Sequence, residues 1–241
     1  MTNSRYSVSV VIPAHNEEKI LENAVLHTMK TFQSLNLDFE MIIVDDRSTD
    51  KTGQIADSIA SCYPNIYCFH HGTNQGSGGA FRTGIAHAVK KYVMFVPVDN
   101  PLDIEDMEAY LPRMNVCDIV VGYRVERLGY SGFARFASFV YNRILIPLLF
   151  NIGLTDVNWI QVYRRNLFSS GTIRFDNSRF FYLVEILVKA RRQGLIIAEV
   201  PARMKRRMYG RATNTRFSVI ARTIYDMLKF FWEIREKNKK L

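Results

Sequence analysis

The chain has 241 residues, 48% of them hydrophobic, and a formal net charge of +9. This length and apolar content suffice for one sizeable buried core, which predicts a single α/β domain followed by a tail. Three cysteines, Cys62, Cys68 and Cys117, are too few for a disulfide framework and lack zinc-ligand spacing. The first ten residues hold no apolar stretch of the signal-peptide type, so we expect a cytoplasmic protein.

Four strand-like runs follow one another along the first hundred residues, and each ends in polar or turn residues. In chain order they are VSVVIPAHNEE, FEMIIVDDRSTDKTG, NIYCFHH and YVMFVPVDN. A helical pattern follows each run, which predicts an open, mostly parallel α/β sheet. In such a sheet the ligand-binding residues lie at the carboxyl ends of the strands. We therefore expect the chemistry along that edge.

Six short motifs extend this pattern from Val8 to Thr213. They are VVIPAHNE, VDDRSTDKT, NQGSGGAFRTG, VPVDN, GYR and EVPARMKRRMYGRAT. In this order they resemble the family 2 inverting glycosyltransferases of the GT-A fold, and within them the polyprenyl-phosphate sugar transferases. The resemblance implies an α/β, Rossmann-like, mostly parallel sheet with helices on both faces, within a catalytic domain that we place at residues 1–214.

The first two motifs hold the residues expected to bind the sugar donor. By resemblance, Pro13, Ala14 and Glu17 border the nucleobase and ribose. Asp45 and Asp46 follow a buried-type strand, where a carboxylate can accept hydrogen bonds from base N–H or ribose hydroxyl groups. We expect Glu17 to lie at the start of a helix with exposed amides, and Asp50, farther along, to cap the next helix.

The next two motifs concern the diphosphate of the donor. The glycine-rich segment at Gly76 follows the third strand and lacks G-x-G-x-x-G spacing, so an NAD-type cofactor is not expected. Its small residues let the helix approach the sheet and keep the donor cleft open. In VPVDN the family usually carries an Asp-x-Asp pair that holds a divalent cation, but Pro97 replaces the first acid. Asp99 then remains as the ligand for Mg²⁺ or Mn²⁺, or as a ribose contact.

GYR and the segment after it hold the residues expected to bind the acceptor. Arg135, Ser138 and Asn142 are spaced for one helix face, and Arg124 precedes them. In the related transferases a similar set of residues binds the acceptor phosphate. The alternative is that these residues are only surface charges beside an amphipathic helix. Asp156 would be the general base for a hydroxyl acceptor, or would orient the sugar if the acceptor is an already anionic lipid phosphate.

The last motif forms a basic loop that, by resemblance, closes over the donor diphosphate. Arg207, Gly210 and Thr213 fit the family pattern, and Arg207 would stabilise the charge of the leaving group. In the preceding apolar helical run, Glu185 needs a partner, because an unpaired buried carboxylate is costly.

The tail, residues 215–241, predicts a basic amphipathic helix. Residues 203–241 hold 12 Lys or Arg against 3 Asp or Glu, so all the net charge lies there. Such a helix binds a membrane interface or packs on the domain. A span needs about 20 apolar residues, and the best stretch, Ile144 to Leu154, has 11. We expect no nucleic-acid partner, since the aromatic residues are helically phased.

The sequence therefore predicts an inverting transferase that moves a sugar from a nucleoside-diphosphate sugar to a polyprenyl phosphate. It would act at the cytoplasmic face of the membrane as a peripheral protein. Two alternatives remain open. One is transfer to a hydroxyl acceptor in polysaccharide or glycolipid assembly. The other is a nucleotide-sugar-binding protein with little turnover, which the replacement at Pro97 motivates.

Overall fold

The computed structural model describes residues 6–99, 103–126, 130–177, 179, 181–203 and 217–239. Within these ranges the strands are β1 (Ser7–Ala14), β2 (Asp38–Asp45), β3 (Ile66–His70), β4 (Tyr92–Phe95), β5 (Ile119–Arg124), β6 (Gln161–Arg164) and β7 (Ile197–Ala202). The helices are α1 (Leu21–Ser34), α2 (Thr52–Cys62), α3 (Gly76–His87), α4 (Ile104–Met114), α5 (Gly132–Val140), α6 (Ile146–Phe150), α7 (Asn166–Ser169), α8 (Tyr182–Arg192) and α9 (Phe217–Lys239). A π-helical turn, Tyr141–Leu145, joins α5 to α6.

The described strands form one sheet in the order β3-β2-β1-β4-β6-β5-β7. The first four of these strands are parallel to one another, and β7 is parallel to β5. β6 is antiparallel to both of its neighbours. The predicted mostly parallel α/β sheet is therefore confirmed.

Helices cover both faces of the sheet, because successive strand residues point to opposite sides. In β1, Val10 and Ile12 belong to the core cluster that includes α1 and α4, whereas Val11 belongs to the cluster under α3 and α8. Strands buried on both faces account for the continuous apolar runs in the sequence.

α3 lies very close to β1. A Cβ at Gly84 would overlap the side chain of Val11, so this helix position requires glycine. The expectation that small residues bring this helix close to the sheet is confirmed. Close packing here leaves the amino end of α3, at Gly76, beside the carboxyl edge of the sheet.

The helix from Gly132 to Phe150 corrects one sequence prediction. Within the described part of the chain, this is the one helix that is long enough and apolar enough to cross a membrane, judged by length and composition alone. Only 11% of its most apolar stretch is buried. The apolar run predicted from the sequence begins only at Ile144, directly after Arg143. The helix in fact continues through that arginine, since the π-helical turn joins α5 to α6 without a break.

α9 packs on the domain along part of its surface. Phe230 is buried against Phe150 and Phe181, at ring distances of 5.7 and 5.6 Å. Tyr225 and Trp232 remain exposed. Packing therefore uses one side of the helix and leaves other aromatic side chains in solvent. The domain boundary at residue 214 lies outside the described residues and stays a prediction.

Candidate active site

Three of the predicted donor residues, Pro13, Ala14 and Asp45, lie on adjacent strand ends. Ala14, the last residue of β1, is in register with Asp45, the last residue of β2, and Pro13 directly precedes it. On the other side of β1, the amide of Val96 donates to a β1 carbonyl, so the segment that leads to Asp99 continues along the same edge. Asp99 is half-buried there.

Asp45 and Asp46 point into different hydrogen-bond networks. The Asp45 carboxylate accepts from the Ser48 amide at 3.0 Å and pairs with His70 Nδ1 at 3.0 Å. Burial raises the pKa of Asp45, but the hydrogen bonds from Ser48 and His70 outweigh burial and lower it overall. Asp45 is therefore an anion held in place at the strand end.

Asp46 anchors the loop between β3 and α3. Its carboxylate oxygens accept from the amides of Gln75 and Gly76, both at 2.7 Å, and one oxygen pairs with His71 Nδ1 at 2.8 Å. Gly76 has a positive φ of 74°, which explains why the loop needs glycine there. These contacts use the carboxylate within the protein, and its direct contact with the donor stays a prediction.

The loop after β1 differs from the prediction. α1 begins at Leu21, four residues beyond Glu17. The amide of Glu17 donates to Thr52 Oγ1 at 2.7 Å, and the amide of Glu18 donates to Asp50 at 3.2 Å. The expectation that these amides face a ligand is therefore wrong, because the β2–α2 loop binds them. Asp50 also accepts from the Thr52 amide at 3.0 Å, but the N-cap residue of α2 is Lys51, so Asp50 supports the helix start from one residue before the N-cap position.

At the carboxyl edge of the sheet, the Asp99 carboxylate offers the oxygen ligand that hard divalent cations prefer. The nearby Asp103 pairs with His27 Nε2 at 2.7 Å, so this neighbouring acid already has a protein partner. Mg²⁺ keeps several waters and is often bound by one or two carboxylates plus substrate phosphates. A single aspartate at this position fits such an ion, even with Pro97 in place of the first acid of the pair.

A buried ion pair lies at the centre of the predicted acceptor residues. Arg124 Nε and Nη2 donate to the two oxygens of Asp156 at 2.6 and 2.8 Å, and the side chains are 7% and 1% exposed. Arg124 also donates to the Tyr130 hydroxyl and lies over the Trp159 ring. Burial would lower the pKa of Arg124, but the charge of Asp156 outweighs it and raises it, so the guanidinium stays charged.

The other predicted acceptor residues lie beside this pair. Asn142 Nδ2 donates to the Ser138 carbonyl at 2.9 Å, while its Oδ1 accepts from the Val157 amide at 3.2 Å. Arg135 is exposed and donates to the carbonyl of Tyr130, whose hydroxyl contacts Arg124. The structure thus gathers the predicted set, with Asn142 in a supporting position.

Sequence reasoning missed three residues of these networks. Glu199 Oε1 accepts from the amides of Thr155 at 2.7 Å and Asp156 at 3.3 Å, which holds the Asp156 loop from β7. Tyr130 joins the two arginines, and His71 supports Asp46. A histidine directly after the third strand was the one visible signal. The contacts of Glu199 and Tyr130 come from tertiary structure.

β7 ends beside the predicted acceptor residues, since its last residue, Ala202, is in register with Arg124. The basic loop that follows holds Arg207, Gly210 and Thr213, and these residues lie outside the described ranges. Their proposed role over the diphosphate stays a prediction. The described sheet nevertheless places the beginning of that loop beside the predicted acceptor cluster.

The mostly parallel sheet with an acidic carboxyl edge and flanking helices is a Rossmann-like fold of the GT-A glycosyltransferase type. Glucosyl-3-phosphoglycerate synthase from Mycobacterium tuberculosis, solved with phosphoglyceric acid, superposes with a TM-score of 0.74 at 20% identity, over 95% of this chain and 81% of that one. In its complex with Mn²⁺, uridine diphosphate and glucosyl-3-phosphoglycerate the TM-score is 0.70. These likenesses show the fold.

The family model for glycosyl transferase family 2 matches residues 9–172, and the chain belongs to this family. A dolichyl-phosphate beta-glucosyltransferase, ALG5A of Trichomonas vaginalis, is 29% identical over 208 residues, which cover 80% of this chain and 64% of the relative. Glycosyltransferase AglD of Haloferax volcanii is 30% identical over 208 residues, 83% of this chain and 33% of AglD. The chain thus spans less than two thirds of each relative.

Proposed function

We propose that the protein is an inverting hexosyltransferase that moves a sugar from a nucleoside-diphosphate sugar to a polyprenyl phosphate. The observation that carries this proposal is the pairing of two sites on one sheet edge. Asp99 and the β1 and β2 ends form the proposed donor side, and the exposed cation Arg135, linked through Tyr130 to the buried Arg124–Asp156 pair, forms the proposed acceptor side. The name of the T. vaginalis relative supports a lipid-phosphate acceptor, and the complexes of the M. tuberculosis enzyme support a uridine-diphosphate donor.

The proposed reaction is one in-line displacement at the anomeric carbon of the sugar. The β1 and β2 ends hold the nucleoside, and a cationic Arg207 stabilises the charge that develops on the departing diphosphate. Asp99 would hold a Mg²⁺ or Mn²⁺ ion, which would supply further positive charge against the diphosphate. An acceptor phosphate oxygen is already anionic, so the displacement needs no protein base.

The state of Asp156 favours a phosphate acceptor over a hydroxyl acceptor. Both of its oxygens accept hydrogen bonds from Arg124, and it is buried. A carboxylate in a bidentate pair is a weak base, because the arginine stabilises its charged form. Asp156 therefore acts by fixing Arg124 near the acceptor, and transfer to hydroxyl groups is the second candidate function.

An exposed apolar surface lies next to the acceptor cluster and suits a lipid acceptor. It comprises Phe133, Phe136 and Phe139 on α5 and Leu148 on α6, each more than half exposed. Arg135 lies among these residues on the same helix. An apolar face with an adjacent cation matches a polyprenyl chain and its phosphate, and it supports peripheral contact with a membrane. The exposed Trp232 of α9 offers a second interfacial contact.

Transfer assays with a polyprenyl phosphate and a panel of nucleotide sugars test this function. We expect Asp99→Ala to reduce transfer by about 100-fold or more, since a metal contributes several kcal/mol of charge stabilisation. The matched control is Asp38→Ala, at the opposite end of β2, which we expect to retain activity.

Three outcomes would contradict parts of the proposal. Full metal-dependent transfer in Asp99→Ala would refute the metal ligand. Transfer to saccharide hydroxyls but not to lipid phosphate would favour the second function. Nucleotide binding without transfer from any donor would indicate a binding protein.

A further inference from the structure

A cluster of three side chains on the edge strand β3 and the neighbouring helix α2 lies behind Asp45 of the predicted donor site. Cys68 and His70 alternate along β3 and therefore point to the same face, onto which α2 packs with Asp57. The Cys68 sulfur lies 3.5 Å from His70 Nε2, and an Asp57 oxygen lies 2.9 Å from the same nitrogen. All three ligand atoms fall within 4.8 Å of one another.

These distances suit ligands that share one small ion. Zinc binds sulfur at about 2.3 Å and nitrogen or oxygen at about 2.0 Å, so tetrahedral ligand atoms lie roughly 3.3 to 3.6 Å apart. The Cys68–His70 distance of 3.5 Å already has this value. The Asp57 side chain is 63% exposed and has room to move back by the few tenths of an ångström that an ion requires.

A second hydrogen bond, on the far side of the ring, fixes the orientation of His70, as is usual for histidine ligands of metals. Its Nδ1 pairs with Asp45 at 3.0 Å, which leaves Nε2 directed toward the cluster. Gly53 makes room for this arrangement. A Cβ there would lie 3.0 Å from the Asp45 carboxylate and 3.3 Å from His70 Cε1, closer than most side chains tolerate.

We propose that Asp57, Cys68 and His70 bind a zinc ion with a fourth position open to solvent. A thiolate, an imidazole and a carboxylate together select a borderline-soft cation over Mg²⁺, which prefers oxygen ligands. This ion is therefore distinct from the one proposed at Asp99. The cysteine spacing did not reveal the site, because its ligands come from a Cys-x-His strand and a neighbouring helix.

Cobalt(II) replaces zinc as a spectroscopic probe of the reduced, full-length protein. We expect about one equivalent of Co²⁺ to produce a sulfur-to-cobalt charge-transfer band, which zinc then abolishes by competition. Cys68→Ser should lose the band, and His70→Gln should weaken cobalt binding at least tenfold. Cys62→Ser is the matched control, because Cys62 is an exposed thiol at the end of α2. Asp99→Ala should keep the band.

Thermal unfolding supplies an independent readout. Zinc at about 100 times its dissociation constant should raise the unfolding midpoint by roughly 5 to 10 °C in the wild type and in Cys62→Ser. Cys68→Ser should unfold normally without metal and gain no such rise. The proposal is overturned if the wild type shows no thiolate band, if Cys68→Ser keeps it, or if Asp99→Ala abolishes it.

Discussion

Replacement of Asp156 by Asn tests whether the buried ion pair holds the acceptor side together. The substitution keeps the volume but presents an uncharged amide to both donors of Arg124, whose side chain is 7% exposed. Removing one member of a buried pair leaves an uncompensated charge, which typically costs about 3–5 kcal/mol. The matched control is Asp38→Asn, which breaks the Lys90–Asp38 pair, with side chains 25% and 42% exposed. An exposed pair contributes about 0–1 kcal/mol.

Urea unfolding, monitored by circular dichroism, gives both free energies. We expect Asp156→Asn to unfold at least about 2 kcal/mol more easily than Asp38→Asn. The double variant Arg124→Met with Asp156→Leu should recover much of the loss, because apolar side chains replace the whole pair. Equal stability of the two single variants would refute the reasoning. Loss of transfer to hydroxyl acceptors in Asp156→Asn, with transfer to lipid phosphate retained, would instead support a general base.

Two further predictions concern packing and pH. Gly84→Ala should destabilise the fold by about 1–3 kcal/mol through overlap with β1, whereas Gly132→Ala, with open space around its Cβ, should stay within about 0.5 kcal/mol in the same urea assay. Burial raises the pKa of Asp106, so the folded state binds a proton more tightly than the unfolded state, and stability should rise as pH falls through the folded pKa. The charged groups around it are Asp103, Glu105 and Arg203. Asp106→Asn should flatten this pH dependence of the melting temperature; an unchanged slope would contradict it.

The sequence was sufficient for the fold class and for the parallel strands β1 to β4, whereas the location of the site stays a prediction. Apolar runs that end in polar residues identified β1 to β4, because strands buried on both faces leave a strong local pattern. β6 was not predicted, since its pairing between β4 and β5 is antiparallel and depends on distant residues. The apolar helical segment predicted from the sequence was too short, because Arg143 interrupts the apolar pattern. The arginine does not interrupt the helix, since the backbone hydrogen bonds continue through it.

Partners of individual polar groups were harder to predict than their positions. Glu185 was expected to need a partner, and the structure gives it Lys189 Nζ at 2.6 Å, one helical turn away, together with the amides of Asp176 and Asn177. The lysine was visible in the sequence at i+4 spacing. The two amides were not, because the loop that carries them reaches Glu185 only in the folded chain.

The adjacent acids Asp45 and Asp46 illustrate what a strand end determines and what it leaves open. Asp45 ends β2 and Asp46 follows it at the predicted donor edge, but consecutive side chains point in opposite directions. Asp45 therefore meets His70, and Asp46 meets the amides of the β3–α3 loop. Loss of donor binding on substitution of Asp46 would then have two explanations, a lost contact or a displaced loop. Thr83→Val separates them, because it removes the partner of His71 Nε2 and leaves the Asp46 carboxylate intact. Weakened nucleotide binding in that variant would show that Asp46 acts through the loop.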